Sequence, residues 1–303
     1  MAQTGTVPQS SLPPAVPGER FEIASDAGRL SAYAAGKGPP LLLVHSVNAA
    51  ASAAEVRPLV ERLRASRTVI AMDLPGYGFS ERGDRAYTPR LMTDALHAMV
   101  GAINKRYGKA PVDALALSLS CEFLARAAIE TPQRFRSLAL VSPTGLRGGQ
   151  TLRAAPGATR AMPLLLTALR GPGWGGVLFR QLTRPGVIRY FLERTWGSKS
   201  IDEDLWRYCI ATTRQPGAEY APLRFLSGGL FSADIHDVYE QLAMPVWASH
   251  GVRGDFTDYR GKAFLEARPN WSFTVFDTGA IPYFEEPAPF VKAFRAFWAK
   301  LQR

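Results

Sequence analysis

The chain has 303 residues, of which 47% are hydrophobic and 20% charged. That is the make-up of one large α/β or all-β domain with at most an inserted subdomain, and it excludes a wholly disordered chain. Thirty-six Lys and Arg against 26 Asp and Glu leave a net charge of +10, and 29 of the 36 are arginine; with that charge scattered and no recognition motif beside it, nucleic acid is not an expected partner, and the excess reads first as an arginine-rich solvated surface, with a surface or pocket that attracts anions or acidic lipid as the alternative.

Residues 1–18 carry Pro8, Pro13, Pro14 and Pro17 among small residues and are predicted to form a disordered N-terminal arm. The first residues have neither a basic start nor an apolar core, so they do not read as a secretory signal. Phe21 to Ala24 and Leu30 to Ala34 read as strands around an Asp26-Ala27-Gly28 turn. Four runs then follow that are apolar throughout: Leu41 to Val44, Val69 to Met72, Ala114 to Leu117 and Leu138 to Val141. Such runs suit parallel strands covered on both faces. Helical spacing separates them at Val56 to Leu63, Leu91 to Ile103 and Glu122 to Ile129. The alternation predicts a mostly parallel, doubly wound sheet.

Past Gly145 the pattern changes. Ala161 to Leu169, Val177 to Leu182, Val187 to Arg194 and Asp202 to Thr212 all read helical, and strand character resumes at Val246 to Ser249 and at Ser272 to Phe276. A last helix is predicted over Ala288 to Lys300. The expected organisation is a core of residues 19–145 and 236–303 with a helical cap at 146–235. Residues 146–200 hold nine basic groups and one acid, Glu193, interleaved with Trp174, Phe179, Tyr190, Phe191 and Trp196. These aromatics could pack the cap onto the core, or the segment could lean on an anionic substrate or a membrane face. No apolar run approaches the roughly 20 residues of a membrane span. Two cysteines, Cys121 and Cys209, suit a reducing compartment, so a cytoplasmic location is expected. No phosphate-binding loop, Cys-x-x-Cys or His-Glu-x-x-His occurs, and neither a cofactor nor a metal is expected.

The chemistry points to Val112 to Arg126, where a strand runs straight into a helix with Ser118 at the corner. Such a turn strains the corner residue and lifts its side chain above the sheet. Small neighbours two positions away let the helix approach; here they are Ala116 and Ser120. The N–H of Leu119, at the helix start, could face a negatively charged oxygen. The flanking segments fit the same picture. Leu41 to Val44 ends in His45-Ser46-Val47-Asn48, and the next strand ends in Asp73-Leu-Pro-Gly-Tyr-Gly-Phe-Ser80.

Over about residues 20–300 this series resembles the α/β-hydrolase fold family. The resemblance implies a small-molecule ester, lactone or related acyl substrate. It makes Ser118 the nucleophile, with Val47 and Leu119 as N–H donors of an oxyanion hole. Ser46 replaces the usual glycine of that loop, and His45, Ser46 and Tyr283 would border the substrate. The acid would be Asp255, with Asp258 as runner-up. The alternative for Asp255 is a surface turn residue paired with Arg253 or Arg260. The histidine position of the last loop, Asp277-Thr-Gly-Ala280-Ile-Pro-Tyr-Phe-Glu285, is occupied by Ala280. The four histidines, His45, His97, His236 and His250, all precede the acid, so the usual triad order cannot be completed. Two readings stand: a hydrolase with an incomplete triad, or a non-catalytic small-molecule binding protein on the same fold. Substrate identity and oligomeric state stay open.

Overall fold

In the computed structural model, residues 12–169 and 174–301 are described. Two strands open the chain, β1 (Glu19–Ile23) and β2 (Leu30–Ala35), followed by β3 (Pro40–Val44), α1 (Arg57–Leu63), β4 (Thr68–Met72), α2 (Pro89–Tyr107), β5 (Val112–Leu117), α3 (Ser120–Glu130) and β6 (Phe135–Val141). Between β6 and the next strand lie α4 (Pro163–Leu169), α5 (Trp174–Leu182), α6 (Pro185–Trp196), α7 (Glu203–Thr213), α8 (Tyr220–Leu226) and α9 (Ile235–Glu240). The chain closes with β7 (Val246–His250), α10 (Ala263–Glu266), β8 (Trp271–Val275), α11 (Pro282–Glu285) and α12 (Pro287–Lys300).

One eight-stranded sheet has the order β1-β2-β4-β3-β5-β6-β7-β8. β1 and β2 are antiparallel to each other, and β2 to β4; β3 to β8 run parallel. Every residue of β4, β5 and β7 is buried, because helices cover both faces and leave no place for the polar alternation of a half-wet strand. Leu42, Val44, Ile70 and Ala114 join the core on the side of α2 and α3, and Leu41, Leu43, Val69 and Leu115 the core on the side of α1 and α12. Strand order reverses between β3 and β5. In sheets of this kind the crevice at the carboxyl ends of the strands flanking the reversal is where ligands bind.

The arm departs from expectation. Its residues 1–11 lie outside the described residues, but residues 12–18 are packed. Leu12, Ala15 and Val16 are buried. The Ala15 N–H donates to the Tyr33 hydroxyl at 3.1 Å, and the Tyr208 hydroxyl donates to the Pro13 carbonyl at 3.0 Å. The prolines that suggested disorder also restrict the unfolded chain, so fixing this segment costs little entropy and three apolar side chains suffice to hold it.

The Asp73 to Ser80 loop is held from within. The Asp73 carboxylate accepts the N–H of Ala53 at 2.8 Å and of Phe79 at 2.9 Å, while the Ser80 hydroxyl donates to the Asp73 carbonyl at 2.6 Å. Gly78 has φ 50°, and a Cβ there would fall 1.9 Å from the Asp73 carboxyl carbon, so only glycine lets the loop close on its own acid. No helix among the described residues is long and apolar enough to cross a membrane.

Candidate functional site

Ser118 follows the last residue of β5 and precedes α3. Its φ of 57° is one of two positive values among the described non-glycine residues; the other is Ser142, φ 48°, at the equivalent end of the adjacent strand β6. The Ser118 N–H donates to the Val141 carbonyl at 2.8 Å, extending the β5–β6 ladder into the corner and fixing the strained conformation. Below the corner, the Cys121 thiol donates to the Ala116 and Val141 carbonyls and is buried, which pushes its ionisation well above the ordinary thiol range. It is a structural group.

Ser118 itself is half-buried, and among the described residues its hydroxyl has no hydrogen-bond partner. The N–H groups of Val47 and Leu119 likewise have no acceptor among the described residues. The two segments are tied together, because the Ser120 hydroxyl donates to the His45 carbonyl at 2.5 Å. One unclaimed hydroxyl and two unclaimed amides thus belong to segments joined at the switch point of the sheet. Backbone N–H groups without an acceptor are of the kind that can stabilise negative charge on an oxygen.

The His45 to Asn48 loop rests on a carboxylate that the sequence reading missed. Glu55, buried, accepts the Ser46 N–H at 2.8 Å and the Asn48 amide at 2.8 Å; Asn48 also donates to the Ser46 hydroxyl at 2.9 Å. Burial raises the Glu55 pKa above the usual carboxylate range, against the pull of those hydrogen bonds. A lone acid inside the small-residue stretch Ala49 to Val56 was the available signal.

His45 and Ser46 are engaged within the protein. His45 is fully buried. Its Nε2 accepts the Leu74 N–H at 3.0 Å, which places the proton on Nδ1, and Nδ1 donates to the Ser46 carbonyl at 2.6 Å. Burial depresses its pKa to about 4, so this imidazole stays neutral and holds two loops together. Ser46 is buried too, turned toward Asn48 and Glu55. Tyr283 is fully buried with a hydroxyl that has no partner among the described residues.

Asp255 is not brought to the elbow. Its side chain is 41% exposed and ion-paired with Arg194 on α6, and its own N–H donates to the Arg194 carbonyl at 3.1 Å. Neither Arg253 nor Arg260 is its partner. Gly254 turns the chain at φ 87° just before Asp255, whose carboxylate meets α6. Asp258 pairs with Arg260 at 2.8 Å, and the guanidinium holds its carboxyl well below the usual carboxylate range.

The remaining imidazoles are also engaged. His236 is buried, with Nε2 donating to the Gly145 carbonyl at 2.7 Å and Nδ1 accepting the Leu152 N–H at 3.4 Å. His250 donates from Nδ1 to the Gly251 carbonyl at 2.8 Å, accepts from Lys262 at 3.2 Å and stacks on Tyr259; burial lowers its pKa. His97 lies on α2 against Glu130 at 2.8 Å. No histidine is free to serve Ser118.

Ala280, in the last loop, is joined to the carboxyl end of β6, the strand beside Ser118. Its carbonyl accepts the Ser142 hydroxyl at 2.6 Å, and its N–H donates to the Thr195 carbonyl at 2.8 Å, so the end of α6 lies on this loop. Gly279 is required by that closeness, since a Cβ there would meet the Thr195 carbonyl oxygen at 2.4 Å. Glu285 pins the loop from the other side, accepting the Gly279 N–H at 2.6 Å and pairing with Arg253.

Glu122, one turn into α3, is buried and accepts from the Thr144 hydroxyl and from the Ser232 N–H, the latter at 2.8 Å. Four residues on, Arg126 pairs with Asp234 at 2.6 Å. Glu122 ties α3 to both ends of the segment between β6 and α9, and Arg126 adds a second tie at the far end. Burial raises the Glu122 pKa to about 7, above its value of 4.5 in an unfolded chain. The native state therefore holds this proton more tightly, and its contribution to stability falls as pH rises from about 4.5 to about 7. Subtracting the urea-unfolding free energy of Glu122→Gln from that of the wild type should expose a slope of at most about 1.4 kcal/mol per pH unit in that window. A flat difference would mean that the carboxyl titrates normally.

A family model described as the alpha/beta hydrolase fold matches residues 39–197. No curated protein matches the chain in sequence. Among solved structures, the chain is similar to a serine hydrolase involved in carbazole degradation (the CarC enzyme), at 18% identity, TM-score 0.70, covering 93% of this chain and 99% of that one. It is similar to the epoxide hydrolase CorEH at 20% identity, TM-score 0.71, with 93% and 99% covered. A thermophilic esterase from Thermogutta terrifontis gives 19% identity and TM-score 0.70, with 94% and 100% covered. At these identities the structural likeness speaks for the fold alone.

Proposed function

The chain belongs to the alpha/beta hydrolase fold family, and on that premise we propose that it acts on an ester, lactone or related acyl compound at Ser118, slowly and without a histidine base. One observation carries the reading. Ser118 is a non-glycine residue held at φ 57°, with its hydroxyl unpartnered among the described residues and two unclaimed N–H groups in the segments bound to it. Such a conformation costs on the order of 1–3 kcal/mol, and a glycine would turn the same corner without it. The hydroxyl is what the serine adds.

In this reading the N–H groups of Val47 and Leu119 take the acyl oxygen, and Ser118 Oγ forms the new ester bond to the acyl carbon. The leaving oxygen departs with the serine proton, passed through water or through a basic group of the substrate itself. Water then hydrolyses the acyl-serine. Without a base the serine is a weak nucleophile, and a rate of roughly 10³–10⁴ over the uncatalysed reaction is what an oxyanion hole and binding supply alone.

The engagement of all four imidazoles favours a second reading, a binding protein that holds an acyl ligand without turning it over. Mass spectrometry of the intact protein after exposure to a p-nitrophenyl ester and to a fluorophosphonate separates the two. The hydrolase reading expects one slowly formed adduct, on Ser118, absent from Ser118→Ala. An adduct that survives this substitution overturns the site; no adduct, with the ester bound intact, leaves the binding reading.

A further inference from the structure

We propose that the α4–α5 face of the inserted helices is an attachment surface for an anionic lipid bilayer, with a headgroup cleft at its edge. The proposal is independent of the chemistry at Ser118.

Two observations meet there. The first is apolar. α4 contains no buried residue although its sequence is Pro-Leu-Leu-Leu-Thr-Ala-Leu. Leu164 is 89% exposed and Trp174, at the start of α5, 74% exposed; Met162, Leu165 and Val177 are exposed beside them. α4 and α5 pack on each other, so these exposed side chains lie on adjoining helices and, among the described residues, stay uncovered. A folded protein that remains in water seldom leaves contiguous large apolar groups uncovered.

The second is electrostatic. A cleft of about 510 Å³ opens where α5, α6 and the residues after α7 meet, lined among others by Phe179, Arg180, Thr183, Arg184, Arg214 and Glu219. None of its three arginines has an acidic partner among the described residues, while most exposed arginines elsewhere are paired. At about 100° per residue, Val177, Arg180 and Thr183 succeed one another around α5. Arg180 therefore stands between the apolar face and the cleft.

Together these place apolar side chains next to free guanidinium groups, on a segment whose residues 146–200 carry nine basic groups and one acid. The complement of that surface is a lipid face with acyl chains inside and negative charge at its rim. Leucine and tryptophan enter the headgroup boundary, and arginine meets the phosphates. A polyanion such as nucleic acid would match the arginines but leave Leu164 and Trp174 uncovered.

Vesicle co-sedimentation tests it, with phosphatidylcholine alone and with phosphatidylcholine containing a third phosphatidylglycerol, at low and high salt. The wild type should sediment with the anionic vesicles at low salt and be released by high salt. Arg180→Gln and Arg184→Gln should each weaken partitioning about fivefold. Leu164→Glu should weaken it tenfold or more. Both kinds of site are exposed, so the circular dichroism spectrum should not change, and brominated lipid should quench Trp174 in the bound wild type. Equal capture by neutral vesicles, no capture at all, or capture indifferent to Leu164→Glu overturns the proposal. So does a dimer in light scattering that Leu164→Glu splits, which would make a second copy the occupant.

Discussion

An Ala280→His variant should hydrolyse an activated ester about 10²-fold faster than the parent, and not a millionfold faster. In a serine protease the loss of all three triad groups costs about 2 × 10⁶ in turnover, and the loss of the aspartate alone about 3 × 10⁴. A histidine that lacks its orienting carboxylate is therefore worth roughly two powers of ten. That is the situation position 280 would create, because Asp255 is paired with Arg194 and Asp258 with Arg260.

The missing carboxylate has an obvious place. The Ser142 hydroxyl lies 2.6 Å from the Ala280 carbonyl, and its backbone at φ 48° is one that aspartate tolerates better than most residues. Ser142→Asp alone should leave the esterase rate near that of the parent. Combined with Ala280→His it should add at least a further tenfold, more than the two single changes together predict. The measurement is kcat/KM on a p-nitrophenyl ester, with Ser118→Ala in the same background as the control. An Ala280→His variant that is folded but no faster would mean that residues 118 and 280 do not share a site, and the proposed mechanism would fall with it. A millionfold gain would mean that one of the paired aspartates swings free.

What was legible in the sequence followed from burial. β3 to β6 are covered on both faces, so each shows as an apolar run, and each contains its predicted run and begins one to three residues before it. α2, α3 and α12 are long enough for helical spacing to register. α9, α10 and α11, of four to six residues, are too short for a period of 3.6 to show. The corner at Ser118 was readable because strand and helix abut there with nothing between them. Side-chain direction in the loops was not. Asp255 follows α6, a partner some sixty residues away, and no local pattern reports that contact. His45 suggested chemistry by its type, but its partners are the Ser46 carbonyl and the Leu74 N–H, and they make it a support; Glu55, which no pattern singled out, supports the same loop.

The second large effect concerns the opposite end of the same strand. Asp113, near the start of β5, is 2% exposed and binds two arginines, Arg67 and Arg136; Arg136 Nε donates to it at 2.9 Å and the Ser137 hydroxyl at 2.6 Å. Arg67 is itself buried, stacked 4.1 Å over the Trp298 ring, and its burial lowers its pKa despite the attraction of Asp113. Asp113→Ala would strand this guanidinium without its counter-charge, and removing one partner of a buried pair costs about 3–5 kcal/mol. Arg136 is one-third exposed and can turn to water, so Arg136→Gln should cost about 1 kcal/mol or less. Urea unfolding of the two variants should show that inequality; equal small losses would mean that water already reaches Arg67. Five residues of strand, about 17 Å, separate Asp113 from Ser118. The adduct formed on Ser118 per folded molecule should therefore be the same in Asp113→Ala as in the wild type, and a reduced rate in the folded fraction would show that the two ends of β5 are mechanically coupled.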